Sequence, residues 1–343
     1  MSLAVDFLEA RGEPAWDDFV MQAPDATLFH LSGWRRVIEK AFGHRTFYLV
    51  ARRGSNVCGV LPLTQVKSFL FGNSLISNAF CVQGGIVASD AEAGEHLRAE
   101  AVRVAQELKV DSLEFRAASG APPPWQTKSG LYAIFRRPLA TDDETNFKSI
   151  PKIRRKKIRK AMNNGLTSQI DSGVDRLHHV YAQSVRRLGT PVFSRRYFRL
   201  LKEAFGSSCE VLTVLHRGDP VASSMIFYFR DKMMTYYGGG DFDARNLAAN
   251  DFMYWEIIRR GCERGAAVFD FGRSKVGTGS YLFKEEWGFE PTPLAYEYFL
   301  RESQVIPEIN PLNPKYQLAI KAWQRLPLSV TKLIGPAIVR SIG

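Results

Sequence analysis

RVIEKAFG at residues 36–43 recurs as RLLKEAFG at residues 199–206, 163 positions further along the chain. Each copy is followed by a β-rich run that ends in a glycine turn, at Gly54 and at Gly218. A second apolar run comes next, CGVLPL in the first copy and VASSMIF in the second. Short apolar runs bounded by glycine are typical of buried strands, so both copies predict a helix, a strand, a turn and a strand in that order.

The order of elements continues to match beyond this repeat. Helical stretches at residues 92–108 and 247–263 each precede a short strand, SLEFR at 112–116 and VFDFG at 268–272. Agreement over some 80 residues indicates duplication rather than a chance match of one helix. Strands and helices in this order predict an α/β (α+β) fold, with a mixed central sheet flanked by helices in each half.

Length and composition fit two domains with substantial cores, since the chain has 343 residues of which 45% are hydrophobic and 12% aromatic. We expect a first domain at residues 1–147, a basic helical junction at 148–165, a second domain at 166–303 and a basic C-terminal tail at 304–343. These numbers exclude a disordered or fibrous protein.

Charge is concentrated at the junction between the two halves. The chain has a formal net charge of +11, and KSIPKIRRKKIRK at residues 148–160 contains eight basic residues and no acid, which leaves the rest of the chain near +3. A helix from about residue 152 would gather these side chains for contact with phosphates of tRNA, an anionic lipid surface or a diphosphate-linked sugar. A solvated charged helix is the alternative. The candidate phosphate-binding residues are Lys152, Arg155, Lys156, Lys157, Arg159 and Lys160.

The sequence predicts a cytoplasmic protein without a structural metal. No apolar run approaches the roughly 20 residues needed to span a bilayer, and the first residues lack the order of a signal peptide. The four cysteines are far apart and form no CxxC pair, so we expect core thiols and no metal site.

The C-terminal stretch from Pro314 to Gly343 has five Lys or Arg and no acid, together with scattered apolar residues. Pro327 and Pro336 are expected to interrupt any helix. Such a tail suits peripheral contact with the inner face of a membrane, although packing on its own domain is the commoner outcome and the favoured expectation.

Residues 236–289 carry a resemblance to a known family. They contain YYGGG, then NDFMYWEIIRRGCERG, then FDFGRS and GTGSYLFKEEWGF, and RRKKIRKAMNNGL at residues 154–166 resembles the family's basic helix. Together these segments are similar to the Fem (FemAB-like) aminoacyltransferases, whose fold is a duplicated GNAT N-acyltransferase unit. The resemblance is strongest from about residue 154 to residue 300, and within the family it is closest to proteins associated with PEP-CTERM and exopolysaccharide systems.

The resemblance implies two tandem GNAT-like units and transfer of an aminoacyl or acyl group to an amine. The co-substrate would be aminoacyl-tRNA or acyl-CoA, with no permanently bound cofactor, and the acceptor an amine-bearing envelope or polysaccharide precursor. Two features depart from the family. No long heptad insertion is present, and Arg273-Ser274-Lys275 stands where glycines are usual.

The family resemblance places an aromatic-lysine pair at the reaction centre, and Phe283-Lys284 matches that pair. Acyl transfer needs donors directed at the oxyanion of the tetrahedral intermediate, and Lys284 is the leading candidate. Its alternative is a solvated helix face with Glu285 and Glu286. Asp270 is the candidate proton acceptor, with water or the substrate as alternatives, and Tyr281 is a second candidate oxyanion donor.

Two glycine-containing segments are candidates for binding the anionic donor. Three glycines at 238–240 precede a predicted helix near residue 246, the arrangement of phosphate-binding loops, although a plain turn also explains them. A second flexible segment at 273–279 carries two cations. The candidate substrate-binding residues are Gly238, Gly239, Arg245, Asn246, Arg273, Ser274, Lys275, Gly277 and Gly279.

Three functions follow from the sequence. Aminoacyl transfer from tRNA is favoured by the Fem resemblance and the basic segment, and an acyl-CoA-dependent N-acyltransferase by the position of the glycines. A non-catalytic binding or scaffold protein of an envelope-polymer system is the alternative of another class.

Overall fold

A computed structural model describes residues 2–68, 71–117, 120–302, 305–306 and 314–343. The chain forms two compact units. Unit 1 contains the described residues of 1–131, 294–309 and 340–343, and unit 2 contains those of 132–293 and 310–339. Within the described residues, no helix is long and apolar enough to cross a membrane.

The described residues form thirteen strands. They are β1 (Leu3–Phe7), β2 (Arg45–Arg53), β3 (Asn56–Ser68), β4 (Gly72–Ser77), β5 (Val87–Ala88), β6 (Ser112–Phe115), β7 (Gln126–Pro138), β8 (Thr167–Asp171), β9 (Cys209–His216), β10 (Asp219–Phe229), β11 (Lys232–Gly240), β12 (Val268–Lys275) and β13 (Pro291–Leu300).

The same residues form twelve α-helices. They are α1 (Glu13–Gln22), α2 (Ser32–Phe42), α3 (Ala91–Glu107), α4 (Asp143–Ser149), α5 (Lys152–Asn163), α6 (Asp175–Leu188), α7 (Arg195–Phe205), α8 (Ala244–Leu247), α9 (Ala249–Glu263), α10 (Gly279–Glu286), α11 (Pro314–Arg325) and α12 (Leu328–Arg340).

The strands of the two units follow the same topology. The strand order is β1-β2-β3-β4-β6-β13 in unit 1 and β8-β9-β10-β11-β12-β7 in unit 2. In each sheet one central pair is parallel, β4 with β6 and β11 with β12. The recorded pairs of the other neighbours are antiparallel. The repeat seen in the sequence therefore corresponds to a repeated fold, and the predicted tandem α/β architecture is confirmed.

The limits of the units differ from the predicted domain limits. Residues 132–147 and the basic junction at 148–165 are part of unit 2, whereas residues 294–300 of β13 contribute a strand to the unit 1 sheet. The last strand in the order of each unit, β13 in unit 1 and β7 in unit 2, therefore comes from the part of the chain that was expected in the other domain, an exchange that local pattern does not reveal. The predicted limit between residues 303 and 304 lies outside the described residues.

Each unit has its own apolar core. In unit 1, α3 packs Leu97 and Ala101 on the sheet, and in unit 2, α9 packs Ile257 and Ile258 in the same way. The predicted helix at 247–263 is interrupted at Ala248, whose φ of 56° separates α8 from α9. The four cysteines, all of them among the described residues, form no disulfide with one another, and Cys58, Cys81 and Cys209 are buried.

A buried ion pair links three helices of unit 2. Arg154 of α5 donates to Asp251 of α9 at 2.9 Å, and the same carboxylate oxygen accepts the indole N–H of Trp287 at 3.1 Å, just after α10. Arg154 also pairs with Glu286, and its guanidinium lies 4.4 Å from the centre of the Phe283 ring. Because the side chains of Arg154 and Asp251 are only 4% and 7% exposed, neither charge has bulk water as an alternative partner.

The C-terminal helices pack on unit 2, as the favoured expectation had it. Trp323 of α11 and Thr331 of α12 are buried. Pro327 separates the two helices, but Pro336 lies inside α12 and does not end it, contrary to the sequence prediction. The proline removes one backbone hydrogen bond, and the neighbouring Gly335 packs closely on Val192.

We predict that Asp251→Ala lowers the free energy of unfolding by about 3 kcal/mol, because Arg154 would remain buried with only Glu286 as a partner. Urea denaturation followed by circular dichroism measures this change. The matched control is Asp175→Ala, which removes the exposed partner of Arg195 and should cost no more than about 1 kcal/mol. Equal small losses in the two variants would contradict the assigned role of the buried pair.

Candidate active site

The parallel strands β11 and β12 of unit 2 pair over a short distance and then separate. Their ladder consists of three pairs, ending at Met234 opposite Asp270. Beyond this point β11 continues to Gly240 and β12 to Lys275, and these described residues of the two strands do not pair with each other. The two strand ends stay paired with β10 and β7 on their outer sides, and the sides that face each other border a gap between β11 and β12.

A β-bulge in β12 marks the point of separation. The register of β12 against β7 shifts between Asp270 and Arg273, and Gly272 has a φ of 74°, which only glycine adopts readily. Both carboxylate oxygens of Asp270 are engaged. One accepts the backbone N–H of Gly272 at 2.7 Å, and the other accepts Nε of Arg136 at 2.7 Å. Asp270 therefore fixes the shape of the bulge.

Lys284 of α10 is positioned by this bulge. Its Nζ donates to the carbonyl oxygens of Gly272 at 2.8 Å and Arg273 at 3.2 Å. The ammonium lies 5.3 Å from the centre of the Phe135 ring and 5.4 Å from that of Phe271. The side chain is buried, so the alternative of a solvated helix face does not describe it.

Burial lowers the pKa of Lys284 from 10.5 to about 7. The negative charge of Asp270 opposes this change, and the positive charge of Arg273 adds to it. The ammonium and amine forms are thus close in free energy near neutral pH. A buried lysine whose pKa lies near neutral pH, beside the end of a strand, is typical of active sites.

Tyr281 and Phe283, the other predicted catalytic residues of α10, lie on different sides of that helix. Tyr281 is partly exposed and its ring packs edge-on against Phe135, with 5.2 Å between the ring centres. Phe283 points into the core, where it contacts Tyr254 and Phe271. Phe283 thus holds α10 in place, whereas Lys284 and Tyr281 lie on the side of α10 that faces Phe135.

The three glycines at 238–240 lie within β11 rather than in a loop after it. Gly238, Gly239 and Gly240 pair with Ser224, Ser223 and Ala222 of β10. A Cβ at Gly239 would lie 2.4 Å from Ser184 Oγ. Close packing against α6 therefore requires glycine here, a reason that the sequence pattern did not indicate.

The segment after β11 holds two further predicted binding residues. Arg245 and Asn246 are exposed on α8, and α9 begins next to them without a side-chain cap. Asn250, in the first turn of α9, has a buried side-chain oxygen with no hydrogen-bond partner in the described part of the chain. The uncapped N–H groups of α9 are donors for an anion.

The segment after the bulge contains the remaining predicted binding residues. Ser274 is 4% exposed, and its Oγ has no hydrogen-bond partner among the described residues. The guanidinium of Arg273 lies 4.3 Å from the ring centre of Tyr132, and Lys275 is partly buried. Gly277 occupies the exposed turn before α10, and Gly279 is the first residue of that helix. There is open space beside both glycines.

The basic junction is helical, as predicted, and forms α5. The exposed cations of this helix are Lys152, Lys156, Lys157, Arg159 and Lys160, while Arg155 is partly buried. Arg154 was not among the candidate phosphate contacts, and its side chain pairs with the buried Asp251 instead. The exposed cations stay a predicted phosphate-binding surface.

Unit 1 is closed at the equivalent position. The parallel pairs of β4 and β6 continue to the last residues of both strands, Ser77 and Phe115. The segment after β4 is mostly buried, and its carbonyl oxygens at Ala79, Cys81 and Val82 accept hydrogen bonds from side chains of unit 1. In unit 2 the corresponding segment is open, with Phe242 79% exposed. The parallel strands therefore separate before their ends in unit 2 and stay paired to their ends in unit 1.

Two residues of the site were not predicted from the sequence. Arg136 anchors Asp270 from β7, a strand expected in the other domain. Tyr254 packs edge-on against Phe271, with 4.4 Å between ring centres, and burial raises its pKa to about 12. The position of Tyr254 four residues after Asn250 on α9 was the available signal, since residues at this spacing share a helix face.

Residues 152–285 match the family described as the acetyltransferase (GNAT) domain. This segment contains α5, the gap between β11 and β12, and Lys284. No curated protein matches the sequence.

Solved structures share the fold at low identity. The chain is similar to FemX, with 16% identity, a TM-score of 0.69, and coverage of 92% of this chain and 100% of that one. It is similar to the C-terminal domain of a putative lysylphosphatidylglycerol synthetase from Agrobacterium fabrum, with 14% identity, a TM-score of 0.57, and coverage of 84% and 91%. A tandem GNAT protein from the clavulanic acid biosynthesis pathway has 13% identity, a TM-score of 0.54, and coverage of 87% and 98%.

We predict that the amine of Lys284 titrates near pH 7 and responds to its neighbours in opposite directions. Asp270→Asn keeps an oxygen for Gly272 N–H but removes a negative charge, and should lower the Lys284 pKa further. Arg273→Ala removes a positive charge and should raise it. NMR titration of ¹³Cε-labelled lysine measures both, with Lys284→Met identifying the resonance. A pKa at the ordinary 10.5 in the unchanged protein would contradict this environment.

The solved structures show a Fem-like tandem GNAT fold, and the match of residues 152–285 to the acetyltransferase (GNAT) domain indicates that this protein is an acyltransferase.

Proposed function

We propose that the protein transfers an aminoacyl group, with aminoacyl-tRNA as the favoured donor, to an amine acceptor, and that the reaction takes place beside Lys284. The observation that carries the proposal is the buried Nζ of Lys284, held by two bulge carbonyls next to the gap between β11 and β12. Burial of an ammonium costs free energy of folding, and a pKa near 7 is typical of a lysine whose charge or proton takes part in a reaction.

The proposed step forms one bond and breaks one. The acceptor nitrogen attacks the donor carbonyl carbon and gives a tetrahedral intermediate with negative charge on oxygen. Its collapse breaks the bond to the leaving oxygen of the tRNA ribose, and the nitrogen loses its proton to an acceptor group. The leaving oxygen takes up a proton, so the protons balance.

In this step Lys284 stabilises the negative charge on the oxygen of the tetrahedral intermediate. Two of its three N–H bonds are given to Gly272 and Arg273, and the third is assigned to the oxyanion. Because the surroundings are aromatic and buried, that hydrogen bond is stronger than in water. Tyr281 is a second donor in the proposal.

Asp270 is assigned a positioning role first. Both of its oxygens already accept hydrogen bonds, which supports a structural use of the carboxylate over direct proton removal. Removal of the proton from the nitrogen is then assigned to water or the substrate, and Asp270 as the base is the second choice.

The donor's phosphates are assigned to the cations and helix ends around the gap. The first turns of α9 and α10 lack side-chain caps, and Arg273 and Lys275 lie on the strand before α10. The exposed cations of α5 extend the positive surface, and a long polyanion such as tRNA suits this extent better than a short donor does.

Acyl-CoA is the second candidate donor. The specific observation in its favour is the uncapped start of α9, whose first backbone N–H groups can donate to an anion. An anion the size of a pyrophosphate needs only this region and not α5.

We assign the acceptor to amine-bearing precursors of the bacterial envelope or of exopolysaccharide, handled in the cytoplasm. The resemblance of residues 236–289 to Fem-related proteins of PEP-CTERM systems supports this assignment, as does the similarity of fold to FemX. A non-catalytic scaffold of such a system is the contrasting hypothesis, and the next experiment separates the two.

We predict that Lys284→Met lowers the rate of transfer by about 10² to 10³, the usual loss for one oxyanion donor. Transfer of labelled amino acid from aminoacyl-tRNA to an amine acceptor measures this rate. The variant should be folded and at least as stable as the unchanged protein, because methionine removes a buried charge of similar volume. Lys202→Met on α7 is the matched control and should keep full activity.

The pH dependence distinguishes the role of Lys284. As a cationic donor, Lys284 loses function as the pH rises through its pKa, so its contribution to the rate falls above about pH 7. A contribution that rises instead would assign proton removal to Lys284. Equal rates for the unchanged protein and Lys284→Met at every pH would exclude Lys284 from the reaction.

We predict that replacing Lys156, Lys157 and Arg159 by Ala reduces the slope of log Kd against log salt for tRNA binding by about 2 to 3, because each phosphate contact contributes about 0.7 to 0.9. The matched control replaces Arg195, Arg199 and Lys202 of α7 and should leave the slope unchanged. Fluorescence anisotropy at rising salt measures both. An unaltered slope in the α5 variant, with acyl-CoA binding retained, would favour the second donor.

A further inference from the structure

The two C-terminal helices pack on the end of α6 and on the segment at residues 189–192 that follows it. A Cβ at Gly189 would lie 2.4 Å from Cγ2 of Ile320 on α11. A Cβ at Gly335 on α12 would lie 2.8 to 2.9 Å from three atoms of Val192. These close contacts fix which face of each helix is packed and which faces away.

The outward face of α12 is apolar. Val330, Leu333 and Ile334 are 36%, 79% and 39% exposed, and Ala337 is also exposed. Their spacing of three, four and seven residues places them on one face. The packed face carries the smaller residues Thr331, Gly335 and Val339. A helix that faces only water normally has the reverse arrangement.

The outward face of α11 combines apolar and basic residues. Leu318 is 80% exposed and shares a face with Lys321, Ala322 and Arg325. Leu188, at the end of α6 beside Gly189, is 68% exposed. Residues 314–343 include five Lys or Arg and no Asp or Glu. We call the exposed residues of α11 and α12 together with Leu188 the tail surface.

We propose that the tail surface docks on an anionic lipid membrane. Apolar side chains at an interface are removed from water, and neighbouring cations are attracted to acidic headgroups, so this combination fits such a surface. A nucleic acid would match the cations but leave the apolar stripe of α12 exposed to water. A second copy of the chain would bring like charges together.

Vesicle sedimentation tests the proposal without any donor or acceptor, so its outcome is separate from that of the transfer reaction. The full-length protein is mixed with vesicles of phosphatidylcholine, with and without about 30% phosphatidylglycerol. We expect binding to the anionic vesicles only, and weaker binding at high salt. Leu333→Glu should reduce the bound fraction by about tenfold or more, since the helix would lose buried apolar area and gain a repelled charge.

The matched control is Met21→Glu on α1, the same charge change at a side chain that is 47% exposed in unit 1. It should bind like the unchanged protein, and both variants should keep its melting temperature. Lys321→Glu with Arg325→Glu should weaken binding to anionic vesicles and leave tRNA affinity unchanged.

Three results would overturn the proposal. The first is no binding to anionic vesicles, or binding that Leu333→Glu does not change. The second is a dimer in light scattering that Leu333→Glu dissociates while vesicle binding is absent, which would assign the stripe to a second copy. The third is loss of tRNA affinity in the charge variants with vesicle binding intact.

Discussion

The hydrogen bonds of Asp270 are the constraint on which the site depends. By accepting the N–H of Gly272 and Nε of Arg136, this carboxylate holds a bulge that ends the pairing of β11 with β12. The same bulge turns the carbonyls of Gly272 and Arg273 toward Lys284. Without the positive φ of Gly272, β12 would continue its ladder and these carbonyls would be used within the sheet. One local irregularity thus opens the gap, holds the lysine and sets its surroundings.

The two units share one strand order, but among the described residues the parallel pair separates before the ends of its strands in unit 2 alone. In unit 1 the segment after β4 is buried, and side chains of that unit bind its carbonyls. In unit 2 the corresponding segment is exposed. There, Arg154 of α5 pairs with Asp251 of α9, and Asp251 also accepts the indole N–H of Trp287, just after α10. A rigid support of this kind behind α10 keeps Lys284 in position, which preorganised stabilisation of charge requires.

The sequence predicted the architecture well because the repeat of residues 36–43 at 199–206 and the alternation of apolar runs are local signals. It also predicted the helix of basic residues. The role of Phe283-Lys284 at the reaction centre stays a prediction. The sequence did not predict that Phe283 faces the core, that Gly238–Gly240 lie in a strand packed on Ser184, or that β7 and β13 are exchanged between the units. Those features depend on contacts between residues far apart in sequence, such as Arg136 with Asp270, and no local pattern encodes them.

The most direct measurement compares the affinity of a tetrahedral phosphonate analogue of the aminoacyl transfer intermediate with that of the planar donor ester. If Lys284 serves the oxyanion, the unchanged protein should bind the phosphonate at least about 10² times more tightly, and Lys284→Met should lose most of that preference while binding the ester equally well. Isothermal titration measures all four affinities. The same preference for the phosphonate in both proteins would contradict a site built around Lys284.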